Sequence, residues 1–214
     1  MEKNNWISTI LGTAILVALI VLIVNLKNNR PQAAVLSQSS GAQDSMASMH
    51  GGGPADSSVF NSLVGQTAPD FTLPSYSGDS VTLSKLRGKN VILFFNEGLM
   101  CYPACWNQVA AFAKDTDIKD KGIVVLSITV DPKDQWQQAV AKMPDLAGAT
   151  VLLDTNKTVS NLYGVLTLPS SMHRGQYPGH SFVLIDKTGV VRFVNDDPDM
   201  AIRDKELLNE ISHI

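Results

Sequence analysis

Cysteine is nearly absent from this chain. Only Cys101 and Cys105, among 214 residues, carry a thiol, which excludes a scaffold built on disulfides. Aromatic residues are sparse, at 7%. Basic residues have no surplus: 17 Lys and Arg stand against 20 Asp and Glu, for a net charge of −3. Nothing is left over to neutralise phosphates, so no nucleic-acid partner is expected. What remains is a chain with 44% hydrophobic residues, enough for an ordinary core.

Charge is missing altogether from Trp6 to Val24, "WISTILGTAILVALIVLIV". At about 1.5 Å per residue this run covers roughly 28 Å, close to the hydrocarbon core of a bilayer. It exceeds the ~7–15 apolar residues of a signal-peptide core. No small-residue cleavage site follows directly, "QAAV" at 32–35 being a poor candidate. The pattern predicts a transmembrane anchor over residues 1–27, with Trp6 at an interface. Lys3 and the amino terminus balance Lys27 and Arg30, so charge does not orient it; the soluble part is expected outside the cytoplasm, at the cell membrane.

Residues 28–59 are rich in Ser, Gly, Ala and Gln and show no apolar period. Such a segment buries too little to offset its ordering entropy, and it reads as a flexible tether. Met46, Met49 and His50 cluster in it; thioether and imidazole are copper donors, but a low-complexity linker carries such residues by chance as well.

Residues 60–214 form one domain's length. Short apolar runs at 91–95, 123–130, 151–153, 182–185 and 190–194 fit strands, several of them buried on both faces. Between them lie helical patterns at 103–114, 132–143 and 156–163, with a last one at 203–212. "IDKTGVVRF", with Gly189 in its turn, predicts a hairpin. This alternation gives an α/β layer structure around a mixed sheet.

The cysteines lie in "NEGLMCYPACWNQ", residues 96–108. Cys101 follows the strand at 91–95 by a short loop, and Cys105 falls in the first turn of the next helix. The carboxyl end of a central strand is where α/β proteins place reactive groups. Unpaired N–H groups at the helix start favour thiolate over thiol. Two Cα atoms four residues apart on a helical turn are about 6 Å apart, within disulfide reach. The pair therefore reads as a redox couple, a metal site, a small staple, or two buried apolar residues; the staple is the weakest reading, because the loop closed is tiny.

"VGQTAPDFTLPSYSGDSVTLSKLRGKNVILFF" and "YPGHSFVLIDKTGVVRFV" resemble the opening and the late strand–turn–strand of the AhpC/TSA–redoxin group of the thioredoxin superfamily. The spacing between these blocks and "SITVDPKDQWQQAVAK" fit the same group, over about residues 62–213. The resemblance implies a thioredoxin-like fold and a peroxiredoxin-like enzyme without a cofactor. Cys105, with Gln108 three residues on, matches the attacking cysteine, and Cys101 its resolving partner. Hydroperoxide or a disulfide would be the substrate, and a thioredoxin-like external thiol the reductant. Where the group usually has Pro and Thr or Ser near the cysteine, this chain has Gly98 and Tyr102. Gly179 and His180 stand where an Arg is usual, and Arg174 is the nearby alternative. Tyr102 is then a candidate donor to the oxidant, Glu97 a candidate proton carrier, and Trp106 a candidate wall of the site. Likeness to thioredoxins implies a cis bond at Tyr177–Pro178. A second resemblance, to Sco-type copper chaperones, rests on Cys101, Cys105 and His180, and implies copper held by two thiolates and an imidazole. His173 reads as loop surface.

Overall fold

The structure, a computed structural model, describes residues 53–214. The expected anchor, with the Met46, Met49 and His50 cluster, lies outside these residues. Among the described residues no helix is long and apolar enough to cross a membrane. All of them belong to one compact unit. Elements are labelled in chain order within it.

A short helix α1 (Ser58–Ser62) leads to a small hairpin, β1 (Thr72–Pro74) and β2 (Ser80–Thr82). The main sheet follows: β3 (Val91–Phe95), β4 (Val124–Thr129), β5 (Val151–Leu153), β6 (Ser181–Ile185) and β7 (Val191–Asp196). Its order is β5-β4-β3-β6-β7. The β3, β4 and β5 strands run parallel, whereas β6 and β7 are antiparallel additions. Helices α2 (Ala104–Lys114), α3 (Thr116–Asp120), α4 (Lys133–Lys142), α5 (Thr158–Leu162) and α6 (Asp204–Ile211) fill the connections and the end of the chain. This is the mixed α/β sheet expected of a thioredoxin-like fold.

The reason β3 reads as an unbroken apolar run is visible in its pleat. Val91, Leu93 and Phe95 enter one core with Phe60, Tyr163 and Leu168. Ile92 and Phe94 enter the other, beneath Cys105, Trp106, Val109 and Phe112 of α2 and Leu207 and Ile211 of α6. Alternate side chains thus serve opposite layers, and both are dry. The same parity governs β6: Phe182 stacks on Phe94 at 4.9 Å in the α2 layer, while Val183 and Ile185 face away. His180 precedes β6 in the phase of Phe182 and Leu184. It therefore falls on the face that α2 covers, a consequence of register alone.

Two expectations are corrected. Residues 53–59 are not a free tether, because they are tied to the domain. Asp56 N–H donates to Thr167 O at 2.8 Å, Thr167 Oγ1 donates to Asp56 O at 2.8 Å, and Arg174 Nε donates to Gly53 O at 2.9 Å. The cis bond expected at Tyr177–Pro178 is not there; among the described residues the cis peptide is Tyr102–Pro103. Pro178 is trans and buried, and Ser171 Oγ donates to Tyr177 O at 2.9 Å to fix the approach to it.

Candidate active site

Cys101 ends a 3-10 turn, Gly98–Cys101, and Cys105 is the second residue of α2. The two sulfurs are joined in a disulfide, with Cα atoms 5.3 Å apart. Cys101 is 3% exposed and Cys105 fully buried. The Cys105 N–H donates to Cys101 Sγ at 3.3 Å. Cys101 thus satisfies one of the open donors at the helix start, as a side-chain oxygen does in an ordinary cap.

The turn carrying Cys101 is held by residues distant in sequence. Gly98 adopts φ +59, and a Cβ there would lie 1.7 Å from Asp131 Oδ2. Only glycine fits this close approach in a left-handed conformation. Asp131, at the end of β4, accepts from Leu99 N–H at 2.8 Å and from Thr129 Oγ1 at 2.8 Å. Burial raises its pKa, and the hydrogen bonds from Leu99 and Thr129 oppose that rise. Asn96 Oδ1 accepts from Gly98 N–H at 2.9 Å. Trp106 Nε1 donates to Gly98 O at 3.0 Å, so the indole braces the turn from the helix side.

Opposite Cys105 stands His180. Its Nδ1 is 3.4 Å from Cys105 Sγ, and the residue is fully buried. The rings of Phe94 and Phe182 meet it edge-on at 4.7 and 5.4 Å. Nε2 makes no hydrogen bond. Burial holds the imidazole pKa down at about 4; the Asp197 charge and the Ala201 backbone pull it up, and Arg203 pushes it down. Gly179 permits the placement: a Cβ there would meet Ser170 Oγ at 2.2 Å.

The loop from Asp197 to Arg203 closes the other side. Asp197 accepts from Ala201 N–H at 3.0 Å, and Arg203 binds it through Nε at 2.9 Å and Nη2 at 2.7 Å. This ladder presents Met200, at φ +51, to the disulfide, with Sδ 3.8 Å from Cys101 Sγ. None of these residues stands out in sequence as part of a site. Asp131, two residues past the end of a strand parallel to the cysteine strand, carried the one signal that pointed here.

Several expected site residues have other occupations. Gln108 is buried and faces α6: its Nε2 donates to Asp204 Oδ1 at 2.6 Å, and its Oε1 accepts from Arg203 N–H at 2.8 Å. Glu97 is buried and binds the loop before β6. It accepts from Met172 N–H at 2.6 Å and His173 N–H at 3.2 Å, and its Oε2 is 3.2 Å from His173 Nδ1. His173 is therefore half-buried and paired, not free surface. Arg174 holds Gly53 O and Ser171 O, not the sulfurs. Tyr102 is 64% exposed and leans edge-on against Trp106 at 4.9 Å.

The Cys101, Cys105 and His180 donors do lie within 4.8 Å of one another. In this state, however, the sulfurs are bonded to each other, and a disulfide sulfur is not the thiolate that metal ions take.

Comparison with known proteins agrees with the redox reading of the pair. Peroxiredoxin Q from chloroplasts of Sedum lineare is 35% identical over 136 residues, covering 61% of this chain and 67% of that protein. Its Populus jackii counterpart is 32% identical, with 66% of each chain covered. Peroxiredoxin Bcp of Escherichia coli K12 is 31% identical, covering 62% of this chain and 85% of its own length. Among solved structures, the reduced 2-Cys peroxiredoxin of Plasmodium vivax superposes with a TM-score of 0.58 at 26% identity, covering 71% of this chain and 82% of that one. The sequence profile of the AhpC/TSA family matches residues 64–194. Fold, cysteine-bearing junction and sequence agree, and the chain belongs to the AhpC/TSA family.

Proposed function

We propose that this protein is a thiol peroxidase in which Cys105 attacks a hydroperoxide and Cys101 resolves the product. The observation that carries this is the Cys101–Cys105 disulfide at the β3–α2 junction of an AhpC/TSA domain. Cys105 thiolate attacks the terminal peroxide oxygen; the S–O bond forms as the O–O bond breaks, and an alcohol or water leaves. The sulfenic acid meets the Cys101 thiol, an S–S bond forms, and water departs. Two electrons then return from an external dithiol of thioredoxin type through a mixed disulfide. Both electrons of turnover come from cysteine sulfur, so no cofactor is needed.

The same pair supports exchange with disulfides as the alternative substrate class. The uncharged run at Trp6–Val24 supports tethering at the cell membrane, and the proposal puts the domain outside the cytoplasm. The reaction is tested by trapping. With Cys101→Ser, one equivalent of hydrogen peroxide should leave a sulfenic acid on Cys105 that dimedone captures, seen by mass spectrometry. No capture, with the Cys105 thiol left intact, would refute the peroxidase.

A further inference from the structure

We propose that His180 is the base that takes the Cys105 thiol proton through Nδ1, and the acid that returns it to the leaving oxygen. The inference rests on the peroxidase reading, but its test does not. Three observations meet at this ring. Nδ1 is 3.4 Å from Cys105 Sγ, the distance across which a thiol proton moves to an imidazole. The ring is fully buried, so no water competes for the proton. Nε2 is buried with no hydrogen-bond partner of good geometry, and the Ala201 backbone near the ring favours its charged form.

The charged side chains whose fields reach the ring are Asp197 and Arg203, joined at 2.7 Å in the loop after β7. From α2 the titrating group is Cys105 itself. From β3 and β6, Phe94 and Phe182 face the ring. In the disulfide there is no thiolate to balance an imidazolium, and the ring stays neutral at physiological pH. Reduction supplies the missing anion. The Cys105 S–H bond then breaks, the N–H bond forms, and thiolate and imidazolium stabilise one another in a dry site. The start of α2 adds its partial positive charge at the sulfur. When the thiolate opens the O–O bond, the Nδ1 proton passes to the departing alkoxide or hydroxide, and the ring returns to neutral. His180 touches the reacting sulfur and is a catalytic residue on this account.

The experiment uses full-length Cys101→Ser protein, in chelator, with and without His180→Gln. Iodoacetamide alkylation of Cys105, followed against pH, reads the thiolate independently of any peroxide chemistry. The expected result is an apparent pKa well below the ~8.5 of free cysteine with His180 present. His180→Gln should raise it by at least about one unit, slow alkylation by about tenfold at pH below both pKa values, and leave the rates converging at pH above both. Equal apparent pKa values, or a rate ratio constant with pH, would overturn the assignment. Should His180→Gln not fold, ring NMR of the chain with His180 intact decides. The imidazole should be charged at pH 7 in the reduced protein and neutral in the disulfide; a neutral ring in both states overturns the proposal. Normal alkylation behaviour with no peroxide reduction would instead refute the peroxidase reading and leave His180 as the base for disulfide exchange.

Discussion

Gly98 shows how a single residue sets the position of the site. It stands where related sequences usually carry proline, and sequence alone marks it as a departure. The structure gives the reason: its φ is +59, and Asp131 occupies the space a side chain would need. Gly98→Ala should cost roughly 2–5 kcal/mol, from left-handed strain and overpacking together. Urea unfolding of the disulfide form would measure it, and a cost under about 0.5 kcal/mol would contradict this account. Gln108 teaches the opposite lesson. Its spacing from Cys105 suggested a role beside the sulfur, yet both ends of its amide are used on Arg203 and Asp204. Spacing places a residue on a helix; it does not say which neighbour arrives to claim it. Tyr102 and Glu97 were likewise legible as near the cysteines, but not as an exposed ring and a buried loop clamp.

At the scale of elements, the main strands were legible as short apolar runs, and β3, β5 and β6 are buried along their whole length. The hairpin was legible from Gly189. The pieces sequence did not yield are the ones without periodicity: the β1–β2 hairpin, α3, and the 3-10 turns. Least legible was the Asp197–Arg203 loop, whose organisation comes from one buried carboxylate accepting from several donors. Asp197→Asn should weaken this ladder by about 1–3 kcal/mol, since charged hydrogen bonds are replaced by neutral ones. Amide exchange at Asp199, Ala201 and the first turn of α6 should quicken, while β3 and β4 stay protected. Unchanged exchange there would show that packing of Met200 and Leu207, not the carboxylate, orders the loop.

For the whole molecule, the buried imidazole links stability to pH. In the disulfide form His180 is held at about 4, below its ordinary 6.5. Between these values the unfolded chain binds the extra proton. His180 thus contributes its full stability above pH 6.5, and loses it as the pH falls to about 4. The loss should be on the order of 3 kcal/mol. His180→Gln should flatten this part of the curve of unfolding free energy against pH; an unchanged slope would mean the ring is not buried as neutral. The domain's architecture and the cysteine pair's location could be read from sequence. The approach of His180 could not, because it depends on the register of β6 against β3 across nearly ninety residues of chain.

The central claim is that this pair reduces peroxide, and stopped-flow mixing of the pre-reduced chain with hydrogen peroxide tests it most directly. Trp106, in contact range of the cysteine turn, should report the change by fluorescence. The expected result is oxidation at least about a hundredfold faster than a free thiol, one disulfide formed per peroxide consumed, and no reaction with Cys105→Ser. Oxidation no faster than a free thiol, or undiminished with Cys105→Ser, would contradict the account.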